Sequence, residues 1–156
     1  MKTDRKLLII HLAIPLAVGG LAALLSADGI GAYAELNRPP LAPPGWVFPV
    51  VWTVLYLAMG YSAWLVHTSC ANDTEKRRAL AVYALQLCVN FLWPLLFFRA
   101  GFLLSAFFLL LLLWLLVFIT WRLFCAVSER AGTLLLPYLL WVTFAAYLNY
   151  GFFLAN

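Results

Sequence analysis

The chain has 156 residues, 66% hydrophobic and only 10% charged, with a mean hydropathy of +0.97 and a formal net charge of +4. A soluble domain carries roughly 25% charged residues, so this composition excludes one and describes an integral membrane protein whose main solvent is lipid. The surplus of Lys and Arg serves membrane orientation and anionic headgroups, and gives no reason to expect a nucleic-acid partner.

Crossing the hydrocarbon takes about 20 apolar residues. Runs between charges and helix breakers predict five spans, near 7–25, 45–67, 79–98, 102–124 and 131–153, in a single membrane domain over 1–156. The basic N-terminus, Met1 to Lys6, leads into an apolar stretch that continues to Leu25 without a compact cleavage motif. It reads as a retained first span, not a signal peptide. His11 sits about one turn inside and is expected to hydrogen-bond a neighbouring helix or a headgroup.

Five prolines then fall between Pro39 and Pro49. Proline fixes φ and removes a backbone donor, so residues 37–44 are predicted to be stiff and extended. A stiff loop flanked by aromatics at the mouth of a membrane helix can act as a lid, or simply stop one helix and start the next.

The second span carries Trp52, Tyr56, Gly60 and Ala63 on one face and ends at His67. A short polar link, 68–78, follows. Span three carries Tyr83, Gln86, Asn90, Trp93 and Phe97 at 3-4-3-4 spacing, again one helical face. After a tight turn at Arg99–Gly101 comes span four, nearly pure Leu and Phe, which reads as a wall facing lipid or a partner. Span five places Tyr138, Trp141, Ala145 and Asn149 on one face. Pro15, Pro49, Pro94 and Pro137 mark the other four helices and permit kinks.

The interior lacks the Asp, Glu, Lys and Arg that proton-coupled pumps, voltage sensors and many intramembrane hydrolases require. Five spans also cannot divide into the equal inverted halves of many transporters. Cys70, Cys88 and Cys125 have no metal-site or CxxC spacing and read as structural thiols. Amides in hydrocarbon are costly unless paired with another helix or facing a wet or ligand-filled space. At about 1.5 Å per residue, Trp52 lies roughly 10 Å, and Asn90 and Trp93 roughly 8–12 Å, below the outer ends of their helices. Indoles and amides therefore cluster in the outer half of the membrane beneath the proline loop. Eight of the ten Lys and Arg lie on the N-terminal side (Lys2, Arg5, Lys6, Lys76, Arg77, Arg78, Arg122, Arg130). The positive-inside rule then makes the N-terminus cytoplasmic and the proline loop external.

These residues resemble the TspO/MBR family, the tryptophan-rich sensory proteins of bacteria and the mitochondrial translocator protein. The resemblance covers nearly the whole chain. It rests on Pro15 and Gly19, Tyr33 with Leu36, Arg38-Pro39 through Pro43-Pro44-Gly45-Trp46-Val47-Phe48, and Trp52-Thr53-Val54-Leu55-Tyr56 with Met59-Gly60. It continues through Gln86, Asn90-Phe91-Leu92-Trp93, Phe97-Phe98, Pro137-Tyr138-Leu139-Leu140-Trp141 and Leu148-Asn149. It implies an all-α five-helix bundle, often a homodimer, in a bacterial cell membrane, with the first loop folded over a pocket. It also implies binding of tetrapyrroles such as protoporphyrin IX and haem, as ligands and not cofactors, and of isoquinoline or benzodiazepine drugs.

By position, the implied ligand-binding residues are Trp46, Val47, Phe48, Trp52, Tyr56, Asn90, Trp93, Tyr138, Trp141, Ala145 and Asn149. Light-dependent porphyrin breakdown in some bacterial members implies Trp52 and Trp141 as candidate catalytic residues. A transporter of such ligands is the further alternative. Three departures bear on ligand preference. Leu41 and Ala32 stand where the family usually has aromatics, and no Lys or Arg follows Tyr150, as a cholesterol-recognition pattern would require.

Overall fold

The structure, a computed structural model, describes residues 2–156, apart from the side chains of residues 2–4, 30, 32 and 33. The expectations attached to Ala32 and Tyr33 therefore lie outside the described residues. Helix α1 (Lys2–Ser26) is followed by a 3-10 turn (Ala27–Gly29) and the short α2 (Ile30–Glu35). Then come α3 (Val47–His67), α4 (Asp73–Pro94) running on into a π-helical turn (Leu95–Arg99), α5 (Leu103–Val127), the short α6 (Glu129–Thr133) and α7 (Leu136–Ala155). No strand occurs among the described residues. Among the described residues, five helical segments are long and apolar enough to cross a membrane: Arg5–Gly29, Val47–His67, Asp73–Arg99, Leu103–Val127 and Glu129–Ala155. The protein is an all-α, five-span integral membrane protein.

Helix ends depart from the apolar runs where a helix outlasts the hydrocarbon. The polar link predicted over 68–78 is shorter still, since α4 already starts at Asp73. Asn72 caps it, its side chain accepting from the Thr74 N–H at 2.9 Å, and Asp73 pairs with Lys76 at 2.9 Å. Charges mark where a helix leaves the hydrocarbon and do not break it. At the other end, the turn at Arg99–Gly101 forms as expected, with Gly101 in the left-handed region at φ 67°.

The prolines divide into two kinds. Pro15 and Pro94 lie inside helices, and Pro94 leads directly into the π-helical turn. Pro49 and Pro137 sit in the first turns of α3 and α7, where the missing N–H leaves no helical bond unmade.

Residues 37–44 are non-helical, as predicted, but not uniformly extended. A turn closes with the Ala42 N–H donating to the Pro39 carbonyl at 3.2 Å. Leu41 takes φ 66° within it, a conformation costing a non-glycine residue about 1–2 kcal/mol. The loop is tied to the end of α7. The Asn37 N–H donates to Asn156 Oδ1 (2.9 Å), Asn156 Nδ2 donates to the Asn37 carbonyl (3.1 Å), and the Tyr147 hydroxyl donates to the Pro40 carbonyl (3.1 Å).

The polar faces read from the sequence point inward. Tyr83, Gln86, Asn90 and Trp93 on α4 and Phe97 in the π-helical turn are all buried, as are Tyr56, Gly60 and Ala63 on α3 and Tyr138, Ala145 and Asn149 on α7, while Trp52 and Trp141 on those faces are half-buried. Helix α5 is more than the expected wall. Ala106, Leu110, Leu113, Val117 and Phe124 are wholly buried in the core that α4 and α7 share, while Phe108, Leu111, Leu112 and Leu115 stay exposed. Leucine suits lipid and protein equally, so an all-apolar run conceals its buried face.

Candidate functional site: an indole-walled cavity

A cavity of about 400 Å³ lies at the proline-loop end of the bundle, between α1, α3 and α4. Its volume falls in the range of pockets that hold drug-sized ligands, about 300–1,000 Å³. Each wall follows from the residues its helix supplies. Helix α1 contributes small residues, Gly19, Gly20, Ala22, Ala23 and Ser26, which leave room that a larger side chain would fill. Helix α3 contributes Phe48, Pro49, Trp52, Thr53 and Tyr56, and Gly45 of the loop borders the mouth. Asn90, Trp93, Pro94 and Phe98 close the third side.

Tyr56 forms the floor. Its ring packs directly on Gly19, where an added Cβ would overlap it, so this glycine sets how closely α1 and α3 approach. The two wall indoles are held by neighbouring rings. Trp52 stacks on Tyr56 with centroids 5.5 Å apart and meets Trp93 at 6.5 Å and Tyr138 at 6.1 Å. Trp93 stacks on Phe97 at 5.3 Å. Its indole N–H donates to Asn149 Oδ1 at 3.1 Å, and Asn149 Nδ2 donates to the Leu103 carbonyl at 2.8 Å. Such fixed, flat, polarisable surfaces suit stacking against a planar ligand.

The buried amides are largely committed to neighbouring helices. The Tyr56 hydroxyl donates to Asn90 Oδ1 (2.7 Å), and Asn90 Nδ2 donates to the Tyr138 hydroxyl (2.9 Å). Tyr138 in turn donates to Gln86 Oε1 (2.7 Å), and Gln86 Nε2 lies 3.8 Å from the Met59 sulfur. This chain joins α3, α4 and α7 through the centre of the bundle. Asn90 thus borders the cavity and also links helices, so the two readings of an intramembrane amide meet in one residue.

The implied ligand-binding residues fall into groups. Phe48, Trp52, Tyr56, Asn90 and Trp93 line the cavity together. Tyr138, Ala145 and Asn149 are buried behind it, with Tyr138 and Asn149 bonded to lining residues. Trp141 faces a second, shallow apolar groove between α3 and α7, where Val50, Val54 and Leu140 surround it. It meets the first cavity's wall at Phe48, 6.0 Å away, and its indole nitrogen is buried without a hydrogen-bond partner among the described residues. Trp46 is exposed and Val47 half-buried, both outside the lining. The α1 wall is not among the residues that the sequence points to. Its signal is the set of small residues Gly19, Gly20, Ala22 and Ala23, interrupted by the outward-facing Leu21, and none of these carries a polar group to draw notice. No cluster of three or more potential metal ligands occurs among the described residues.

Comparison with known proteins matches the sequence to a family. The TspO/MBR family profile matches residues 11–154. The chain is 38% identical over 150 residues to the tryptophan-rich sensory protein of Cereibacter sphaeroides, covering 96% of this chain and 91% of that one. It is 40% identical over 124 residues to the translocator protein of Homo sapiens, covering 79% and 73%. To protein CrtK of Rhodobacter capsulatus it is 39% identical over 124 residues, covering 80% and 78%. The chain, with its five membrane-spanning helices, belongs to the TspO/MBR family.

Proposed function

We propose that this protein is a membrane receptor or sensor whose ligands are flat, largely apolar molecules: tetrapyrroles such as protoporphyrin IX and haem, and isoquinoline- or benzodiazepine-type drugs. The observation that carries the proposal is the cavity between α1, α3 and α4, walled by Trp52 and Trp93 on one side and small residues on the other. The small-residue wall makes a slot, and the indoles give one face of it a stacking surface. The names of the relatives, a sensory protein and a translocator protein, accord with ligand recognition in a membrane. Titrating the purified protein with protoporphyrin IX, haem and an isoquinoline drug while following tryptophan fluorescence tests this. Saturable quenching at one ligand per chain is expected. Quenching that rises without saturation means that the ligand dissolves in the micelle and the cavity is not a receptor site.

The proline loop serves as the lid in this reading, since its Gly45 borders the mouth and the loop is fastened to α7. The protein resides as a homodimer in a bacterial cell membrane, with the N-terminus cytoplasmic and the loop external. The charge distribution supports this orientation. In intact cells an impermeant thiol reagent should reach a cysteine placed at Ala42 and miss Cys70. The reverse pattern inverts the orientation.

A second reading, light-driven porphyrin breakdown, is favoured by the position of Trp52 on the cavity wall. A photoexcited porphyrin, or singlet oxygen formed by it, can oxidise an adjacent indole. Illuminating the bound complex and following porphyrin absorbance against protein-free micelles tests it, and equal bleaching in both removes it.

A further inference from the structure

We propose that, among otherwise similar planar ligands, the cavity prefers those bearing a carboxylate and that Arg99 receives it, a specificity that rests on the reading of the cavity as a binding site for flat apolar molecules. The cavity lining carries no charged side chain. A ligand held by stacking alone could slide or turn over in the slot, and a wholly apolar one is equally at home in lipid. Orientation requires a polar anchor at the mouth.

Arg99 is built into that position. It directly follows Phe98, a lining residue. At Gly29, the turn after α1 presses against the backbone of Phe98 and Arg99 so closely that an added Cβ would overlap the Phe98 carbonyl. The base of the arginine is therefore fixed against the end of α1. Its Nη1 donates to the Leu25 carbonyl at 3.3 Å, next to Ser26, which lines the cavity. One of five guanidinium donors is thus committed to the carbonyl end of α1, while the side chain as a whole stays exposed. Asp28, on the adjoining turn, makes no ion pair with it among the described residues. A guanidinium with spare donors in fixed geometry favours the two oxygens of a carboxylate. The cavity and Arg99 together then recognise an amphiphile with a planar body and an acidic edge.

The test compares protoporphyrin IX with its dimethyl ester, titrated into wild type, Arg99→Gln, Arg99→Lys and Arg38→Gln in uncharged detergent. Arg99→Gln should lower the preference for the acid over the ester about tenfold, the scale of one charge-assisted hydrogen bond, and leave ester affinity unchanged. Arg99→Lys should retain part of the preference. Arg38→Gln, which removes a loop cation on the same side, should leave it intact. The wild-type preference for the acid should also fall as salt is raised.

Equal losses for acid and ester in Arg99→Gln would make the arginine only a cap for α1 and overturn the assignment. Equal effects of Arg99→Gln and Arg38→Gln would reduce it to general attraction by positive charge. A preference that depends on Arg99 only in vesicles containing anionic lipid would assign the arginine to headgroups. Saturable binding of neither compound would overturn the reading of the cavity itself, a result distinct from ester binding without acid preference.

Discussion

The two sides of Trp52 are built on opposite plans. Toward α7 the interior is filled and hydrogen-bonded, through the chain from Tyr56 to Asn90, Tyr138 and Gln86 and the pair of Trp93 with Asn149. Toward α1 the space is open, and the helix facing it offers glycine and alanine. In lipid there is little hydrophobic force to draw helices together, so the seam must come from packing and polar pairing. The open side is closed only at its ends, by Gly19 against Tyr56 below and by Gly29 and the Leu25 carbonyl against Phe98 and Arg99 above, and the cavity lies between them. One side holds the bundle in register, which lets the other keep a void without the bundle collapsing into it.

Filling the void should affect ligand and not fold. Gly20 lines the cavity, and a Cβ built on it meets no atom within 4 Å. Gly20→Phe therefore projects a ring into the slot with no backbone clash. Ligand affinity should fall about tenfold or more, which takes only about 1.4 kcal/mol of overlap or displaced stacking. Stability should stay within about 1 kcal/mol, because replacing a glycine inside a helix is itself favourable. The fluorescence titration and a detergent-unfolding midpoint read the two effects separately. Unchanged affinity would mean that ligand binds elsewhere.

Disturbing the seam should do the reverse. Asn90→Leu leaves the Tyr56 hydroxyl without its acceptor and Tyr138 without its donor. The expected loss of stability is about 1–2 kcal/mol, with affinity changing less than about threefold, under 1 kcal/mol. The sequence alone favours the opposite, since an amide on an apolar face at the depth of two indoles reads as a ligand contact. Affinity that collapses while the unfolding midpoint holds would restore that reading.

What the sequence disclosed follows from the same contrast. A polar residue in hydrocarbon needs a partner, so Gln86, Asn90 and Asn149 announced the buried faces of α4 and α7. The five spans were equally plain, because a break in an apolar run is a strong signal. The buried stripe of α5, with Leu110 and Leu113 inside and Leu111 and Leu112 outside, left no such trace. Nor did the α1 wall, where the functional feature is missing side-chain volume. The left-handed Leu41 was hidden because nothing in a leucine asks for positive φ. Whether Asn90 turned to a ligand or to a helix depended on Tyr56 and Tyr138, 34 and 48 residues away.

Trp141 marks the limit of the contrast, since it belongs to neither side, and its substitution should have the smallest effect. Resemblance pairs it with Trp52 as a candidate reactive residue, but only Trp52 lies on the cavity wall. Trp141 stands behind Phe48 in the groove between α3 and α7. Its indole N–H has no partner, so Trp141→Phe removes no hydrogen bond and relieves a buried donor left unpaired. The lost ring area and the relieved donor oppose each other, and stability should move by less than about 1 kcal/mol. Ligand affinity should change less than about twofold, well under the 1.4 kcal/mol of a tenfold change. Any light-dependent bleaching of bound porphyrin should persist in Trp141→Phe and diminish in Trp52→Phe, because, of these two indoles, only Trp52 faces a macrocycle in the slot. Following porphyrin absorbance under illumination in the two variants separates them. Equal loss in both would mean that ligand binding draws Trp141 into the cavity, past Phe48, and that the wall between the two sides yields when the slot is occupied.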